Sequence, residues 1–316
     1  MTGLILHHYP PSPVAEKVRA GLGLKDLAWQ SVEENRMPRR PQLLAMTGGY
    51  RRIPVLQVGS DIYCDTQCIF LELERRHPAP GFFPDGDRGR ALAISRWTDE
   101  LLFALAVRVS VSSAMDKMPP EVVADRARLY LGPGGSFEDE REDLPHTLAQ
   151  LRPQLGWLDE RLAATDAFLP GTKPGLQDLA AWTIAWFIHT RYPEAPRLFG
   201  ACPALARWIG RMEAIGHGHP SPMSPDEALA VARESEPETR EQVDPGDPQA
   251  LRPGMTVRVR PAADSGDPAV EGAVLQANAE RIALLREAPE CGRVAVHFPR
   301  VGYRVTPISL RASATP

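Results

Sequence analysis

Residues 51–66 read Arg-Arg-Ile-Pro-Val-Leu-Gln-Val-Gly-Ser-Asp-Ile-Tyr-Cys-Asp-Thr. The apolar run Ile53–Val58, the turn residues Gly59, Ser60 and Asp61, and the returning Ile62-Tyr63 predict a β-hairpin. Asp65 then opens a helix that carries Ile69, Phe70 and Leu73 inward. Upstream, Leu4-Ile5-Leu6 reads as a short buried strand, and Pro13 suits the first position of a helix reaching Leu24, with Val14, Val18 and Leu22 on one face. A second strand is expected over Leu27–Val32, and a short helix around Leu43–Met46 stops at Gly48-Gly49. The order β-α-β-α-β-β-α defines an α/β domain over residues 1–80.

Downstream of the loop Gly81–Gly89 the pattern turns helical, from Arg90 to about Ile215. Trp97, Leu101, Ala104 and Leu105 fall at helical spacing, as do Leu144, Leu148, Leu151, Leu155 and Leu158. Leu176–His189 is apolar on nearly every face, the mark of a central helix, and Gly132–Ser136 is a loop. An all-α helical bundle is therefore expected over residues 87–217. A proline-rich linker, 218–252, follows, holding a capping box at Ser224–Glu227 that starts a short helix over Ala228–Ala232. Over residues 253–311 the period changes to two, and four or five short strands predict a small all-β domain of SH3-like barrel size.

The 316 residues carry a formal net charge of -4 and 43% hydrophobic residues, so the chain can bury a sizeable core. Without a sustained Lys/Arg excess, no nucleic-acid partner is expected. No apolar stretch reaches membrane-spanning length, and Leu4-Ile5-Leu6 is too short for a secretory signal, so no membrane partner is expected. The four cysteines form no CxxC pair, which implies no disulfide framework and no metal site and fits a reducing, cytoplasmic setting.

Three motifs in order, Ser12-Pro13-Val14-Ala15-Glu16-Lys17-Val18-Arg19, Arg52-Ile53-Pro54-Val55-Leu56 and Asp65-Thr66, together with the helical region behind them, resemble the cytosolic glutathione transferases. The resemblance covers residues 4–217 and implies a thioredoxin-like domain followed by a helical one. It implies glutathione as co-substrate, with Ser12 donating a hydrogen bond to the thiolate at a helix N-terminus, or Tyr9 doing so as in other classes. A free thiol has a pKa near 8.5, and lowering that by about two requires roughly 2.7 kcal/mol, within reach of one charge-assisted hydrogen bond and the helix dipole. By the same resemblance Pro54 is cis and presents the Ile53 backbone to the cysteinyl part of glutathione. Asp65 and Thr66 would take the γ-glutamyl end, and an arginine of the cluster Arg36, Arg39, Arg40, Arg51 and Arg52 the glycyl carboxylate.

Each of these residues also has a plain structural role: Ser12 and Asp65 as helix caps, Pro54 as the start of an edge strand, the arginines as solvated surface. His7 and His8 read as structural or surface residues, Cys64 and Cys68 as small buried residues, and Trp97, Trp182, Trp186 and Trp208 as core. In the family a Ser or Thr stands three residues before Asp178 and caps the central helix, whereas Gly175 stands there here and weakens the cap. The functional expectation is a thiolate attacking a small hydrophobic electrophile or a peroxide, in a homodimer without a metal. The alternatives are a non-catalytic glutathione-binding scaffold whose β module recruits a partner, and a glutathione-dependent isomerase, whose Ser-Ser-Cys signature is missing.

Overall fold

The computed structural model describes residues 3–263 and 266–308. Residues 1, 2, 264, 265 and 309–316 lie outside the described residues, and with them the end of the β domain expected to reach 311. In chain order come β1 (Leu4–His8), α1 (Pro13–Leu24), β2 (Ala28–Glu33), α2 (Pro41–Thr47), β3 (Val55–Val58), β4 (Asp61–Cys64) and α3 (Thr66–Arg76), the order expected. The helices α4 (Arg88–Trp97), α5 (Phe103–Ala114), α6 (Pro120–Tyr130), α7 (Phe137–Glu142), α8 (Leu144–Thr165), α9 (Leu176–His189), α10 (Ala195–Gly200) and α11 (Pro203–Glu213) follow. Last come β5 (His219–Pro222), α12 (Pro225–Arg233), β6 (Gln242–Val243), β7 (Thr256–Pro261), β8 (Val270–Ala277), β9 (Arg281–Ala288), β10 (Gly292–Pro299) and β11 (Tyr303–Pro307). The chain forms two compact units, one of residues 1–9, 29–69 and 221–316 and one of residues 10–28 and 70–220.

The first unit is built on one sheet of order β11-β7-β8-β9-β10-β4-β3-β1-β2-β5, with β6 beside β8. Strand β1 runs parallel to β2 and antiparallel to β3, and β3 pairs antiparallel with β4. The C-terminal strands follow the helices, as expected, and they extend this sheet. Strand β10 pairs in parallel with β4, Ala295 opposite Asp61 and His297 opposite Tyr63, so the strands continue the sheet that β4 would otherwise end. Their side chains share its core: Leu43, Met46, Val55 and Ile62 pack in one cluster with Val259, Val274, Ile282, Leu284, Val296 and Phe298. The physical reason lies in β10 itself. Residues Val294–Pro299 are buried without alternation, as in a strand covered on both faces, whereas a small barrel strand shows one face to water.

A buried polar knot fastens this junction. Asp61 Oδ1 accepts from His297 Nε2 at 2.9 Å and from Thr239 Oγ1 at 2.5 Å, and Oδ2 accepts from the Glu238 N–H at 2.6 Å. Burial opposes the Asp61 charge, but the His297 hydrogen bond and charge prevail and hold the carboxyl below its ordinary value. His297 also stacks on Tyr63, with centroids 4.3 Å apart. The proline-rich stretch belongs to the same unit. Helix α12 carries the expected capping box, Glu227 N to Ser224 Oγ at 3.2 Å and Ser224 N to Glu227 Oε2 at 2.8 Å, and buries Ala228 and Ala232 completely. Gln57 Nε2 donates to the carbonyls of Ala228 and Gly59, which leaves Gln57 Oε1 to accept from His7 Nε2 at 2.9 Å; the other His7 nitrogen meets Glu34. His7 is thus a buried structural residue and not a surface one.

In the second unit α9 is buried along nearly its whole length, and α1, α4, α5 and α11 pack around it. Trp182 and Trp208 lie in this core, 6.3 Å apart edge to face. The join between α4 and α5 is a π-turn, Thr98–Leu102, which carries Asp99; the buried Lys17 of α1 donates to Asp99 Oδ2 at 2.7 Å and to Ser95 Oγ at 3.3 Å. The start of α9 explains the glycine that the sequence made conspicuous. A Cβ at Gly175 would lie 2.8 Å from the Phe82 carbonyl oxygen and 2.9 Å from Pro84 Cδ. Glycine is required for that approach, and the cap comes from Asp178 instead, whose Oδ2 accepts the Gly175 N–H at 2.9 Å.

Candidate functional site

The β3–β4 ladder pairs Val55 with Cys64, which sets Pro54 and Asp65 at the same end of the hairpin. The Ile53–Pro54 peptide is cis, Pro54 is buried, and Ile53 lies half-buried against the core just ahead of β3. Asp65 takes the left-handed conformation, φ 75°, and its Oδ1 accepts the Gln67 N–H at 2.9 Å, which caps α3. Thr66, the first residue of α3, is buried. An N-terminal helix turn with a carboxylate and a hydroxyl at its mouth offers both an acceptor for a cation and donors for an anion, the two charges of an amino-acid head group.

The C-terminal strands reach the same place. Tyr303, the first residue of β11, donates its hydroxyl to Asp65 Oδ2 at 3.2 Å. Since that uses the only hydrogen of Tyr303, the 3.1 Å contact between the Tyr303 and Tyr50 hydroxyls is donated by Tyr50. Both phenols are pushed well above their ordinary value, by burial first and by the Asp65 charge besides, Tyr303 also by Tyr50, so they stay protonated donors. Beside them Arg52 holds Asp267 from the segment before β8, with Nε at 2.7 Å and Nη2 at 2.5 Å from Asp267 Oδ2. Arg51 Nε lies 3.8 Å from the other oxygen of that carboxylate. Arg40 is buried and clasps the backbone carbonyls of Asn35, Arg36 and Arg51, a structural duty. Tyr9 stands half-buried just beyond β1.

Ser12 belongs to the other unit. Its extended backbone, φ -78° and ψ 119°, places it as N-cap of α1, with Oγ accepting the Ala15 N–H at 3.1 Å. The oxygen is occupied as an acceptor, so the hydroxyl hydrogen is what it has to offer a ligand. Around it the loop is braced by cations: Arg19 Nη2 donates to the Pro10 carbonyl at 2.9 Å and Arg191 Nη2 to the Pro11 carbonyl at 2.7 Å. Glu16, in the first turn, is buried; burial works against its charge, but His217 and Trp182 hydrogen bonds and the Arg19 charge hold its carboxyl below the ordinary value. The helical unit further contains a cavity of about 740 Å³ between α6 and α7, walled by Met115, Met118, Val123, Ala127 and Phe137.

Ile53, Pro54, Asp65, Thr66, Arg52 and Tyr9 therefore fall in one unit and Ser12 in the other. Sequence reasoning missed Tyr50, Tyr303, Asp267 and Glu16. Residues 298–303 carry an aromatic and basic mix, whereas nothing near Asp267 marks it. Among the described residues no cluster of His, Cys, Asp and Glu could hold a metal ion, and no helix is long and apolar enough to cross a membrane.

A thioredoxin-like sheet with a cis-proline at the head of its third strand, followed by an all-helical region, is the architecture of glutathione S-transferases. Family models agree: that of the glutathione S-transferase N-terminal domain matches residues 6–81 and that of the C-terminal domain residues 125–211. The structure of a GST-like protein from Pseudomonas syringae is 32% identical and superposes with a TM-score of 0.74, covering 98% of this chain and 100% of that one. Glutathione S-transferase theta-3 of Mus musculus is 25% identical over 181 residues, 54% of this chain and 64% of the mouse protein, so the chain spans just under two thirds of that relative. A glutathione S-transferase structure from Rhodospirillum rubrum shares the fold at 21% identity, with a TM-score of 0.53 over 67% of this chain and 88% of that one. The chain belongs to the glutathione S-transferase family. The Pseudomonas match takes in the C-terminal strands as well, whereas the Rhodospirillum match stops at two thirds of the chain.

Proposed function

We propose that the protein is a glutathione-dependent transferase in which Ser12 holds the glutathione sulfur as a thiolate. The observation that carries the reading is the Ser12 hydroxyl: its oxygen accepts the Ala15 N–H, so its hydrogen is available to a sulfur at the positive end of α1. The γ-glutamyl head group is assigned to Asp65 and Thr66, and the cysteinyl backbone to Ile53 ahead of cis-Pro54. The thiolate attacks an electrophilic carbon of a small apolar co-substrate; a carbon–sulfur bond forms and the leaving group departs with the electron pair, or a proton is taken up where the electrophile adds. Alternatively the thiolate attacks a peroxide oxygen: the O–O bond breaks, the alcohol or water leaves after taking up a proton, and a second glutathione reduces the glutathione sulfenic acid to the disulfide with loss of water. Proximity and the lowered thiol pKa supply the acceleration. We infer a cytoplasmic homodimer, as is usual for the family. Serine cannot form a mixed disulfide, which argues against thiol–disulfide exchange.

Titration with glutathione, followed by thiolate absorbance in the ultraviolet, tests this. Saturable thiolate formation near neutral pH in the wild type, lost in Ser12→Ala and kept in Tyr9→Phe, is expected. The reverse pattern transfers the role to Tyr9, and absence of any binding refutes the assignment. A second reading, a glutathione-binding protein without turnover, is favoured by the engagement of Arg52 and Asp65 by Asp267 and Tyr303. Binding with no thiolate and no turnover across a panel of electrophiles would select it.

A further inference from the structure

The C-terminal region brings two polar side chains, Asp267 from the segment before β8 and Tyr303 from β11, to the very residues assigned to the thiol ligand. Arg52 is the arginine adjoining Ile53-Pro54, and its Nε and Nη2 both face Asp267 Oδ2, at 2.7 and 2.5 Å. The acid of this pair is buried, the Asp267 side chain being 4% exposed against 35% for Arg52, and Arg51 adds a second cation 3.8 Å from its other oxygen. With the Nε–Nη2 edge and the charge of Arg52 already engaged by Asp267, a glycyl carboxylate would meet a guanidinium that is largely neutralised, or would have to displace Asp267 at a desolvation cost. At the neighbouring position Tyr303 reinforces Asp65 and leaves its carboxylate in place.

Resting on the function proposed above, we propose that Asp267 is a specificity-determining residue of the thiol site: by occupying Arg52 it removes the reading of the glycyl carboxylate, so that the site selects γ-glutamyl thiols by their γ-glutamyl end and accepts them with or without a free glycyl carboxylate. Asp267 acts through Arg52 and is a positioning residue. The ligand class is the γ-glutamyl thiols as a group, γ-glutamylcysteine and glutathione esters included.

Calorimetric titration of the full chain with glutathione, its glycyl monoethyl ester and γ-glutamylcysteine tests the assignment without any variant. The three are expected to bind the wild type within about threefold of one another, the effect of a carboxylate that meets only solvent. In Asp267→Asn, glutathione is expected to bind about tenfold more tightly while the ester is unchanged, the gain of one charge-assisted hydrogen bond. Adding Arg52→Gln should abolish that gain. A merely structural Asp267 would shift all three ligands together. Wild-type preference for glutathione over the ester beyond about tenfold, or a folded Asp267→Asn with an unchanged ratio, overturns the inference while leaving glutathione binding intact. If none of the three thiols binds, the underlying function fails with it. Should Asp267→Asn not fold, the wild-type comparison alone decides.

Discussion

Replacing Asp178 with alanine should cost the protein about 4 kcal/mol at neutral pH, because three buried donors lose their shared acceptor. Asp178 is completely buried; its Oδ1 accepts the Leu169 N–H at 2.9 Å and the Trp208 indole N–H at 2.8 Å, and its Oδ2 accepts the Gly175 N–H at 2.9 Å. A buried donor left unsatisfied costs about 1–3 kcal/mol, and water entering the space that the carboxylate vacates can relieve part of the sum. Asp178→Asn should cost less, about 2 kcal/mol, since its oxygen still serves Leu169 and Trp208 while its amide opposes the Gly175 N–H. The carboxyl also carries a pH signature. Burial, the largest influence, pushes it up to about 6 from an ordinary 3.8, with the three donors pulling the other way. The folded state thus binds this proton more tightly than the unfolded one, so the Asp178 contribution is greatest below about pH 4 and declines by roughly 3 kcal/mol as pH rises through 6. Urea unfolding followed by helical circular dichroism, at pH 5 and pH 7.5 for wild type, Ala and Asn, measures both effects. An alanine variant within about 1 kcal/mol of wild type, or a wild-type-minus-Asn difference that does not narrow as pH rises, would refute the reasoning.

Gly175→Ser restores the residue type of the family's capping box, yet it should destabilise by about 1–3 kcal/mol, because its Cβ meets the Phe82 carbonyl oxygen at 2.8 Å; a raised melting temperature would contradict this. At the junction of β4 and β10, His297→Ala removes one of the three donors to the buried Asp61 carboxylate and should cost about 2–3 kcal/mol, with hydrogen exchange accelerating first in the C-terminal strands. Because the Asp61 carboxyl is held below its ordinary value, its contribution is full above about pH 4 and vanishes as pH falls through the lower folded value. Acid titrations of wild type and Asp61→Asn should therefore converge at low pH.

The N-terminal half of the fold was legible because its elements are locally marked: Pro13 at a helix start, turn residues 59–61, and the switch between strand and helix periods. The C-terminal strands were legible as strands and illegible as partners, since the pairing of β10 with β4 is specified by an edge far away in sequence. The unbroken apolar run Val294–Phe298, His297 apart, was the available signal. Strand β5, His-Pro-Ser-Pro, has no strand signal, and proline is admissible there only because it pairs at a sheet edge. Gly175 was visible as an anomaly, but its cause, a carbonyl oxygen contributed by Phe82, is not written near it. The same holds for Tyr303 and Asp267, which meet Asp65 and Arg52 across 238 and 215 residues.

The pairing of β4 with β10 also sets a timetable for synthesis. Asp61 and His297 are 236 residues apart, so at about 5–20 residues per second the ribosome delivers the partner strand roughly 12–50 s after the edge it must cover. Throughout that interval the nascent chain carries an uncovered parallel edge with a buried-type aspartate in it, which is bare to any other strand nearby. The helices are complete well before then, and the last strands to emerge close the oldest seam in the molecule.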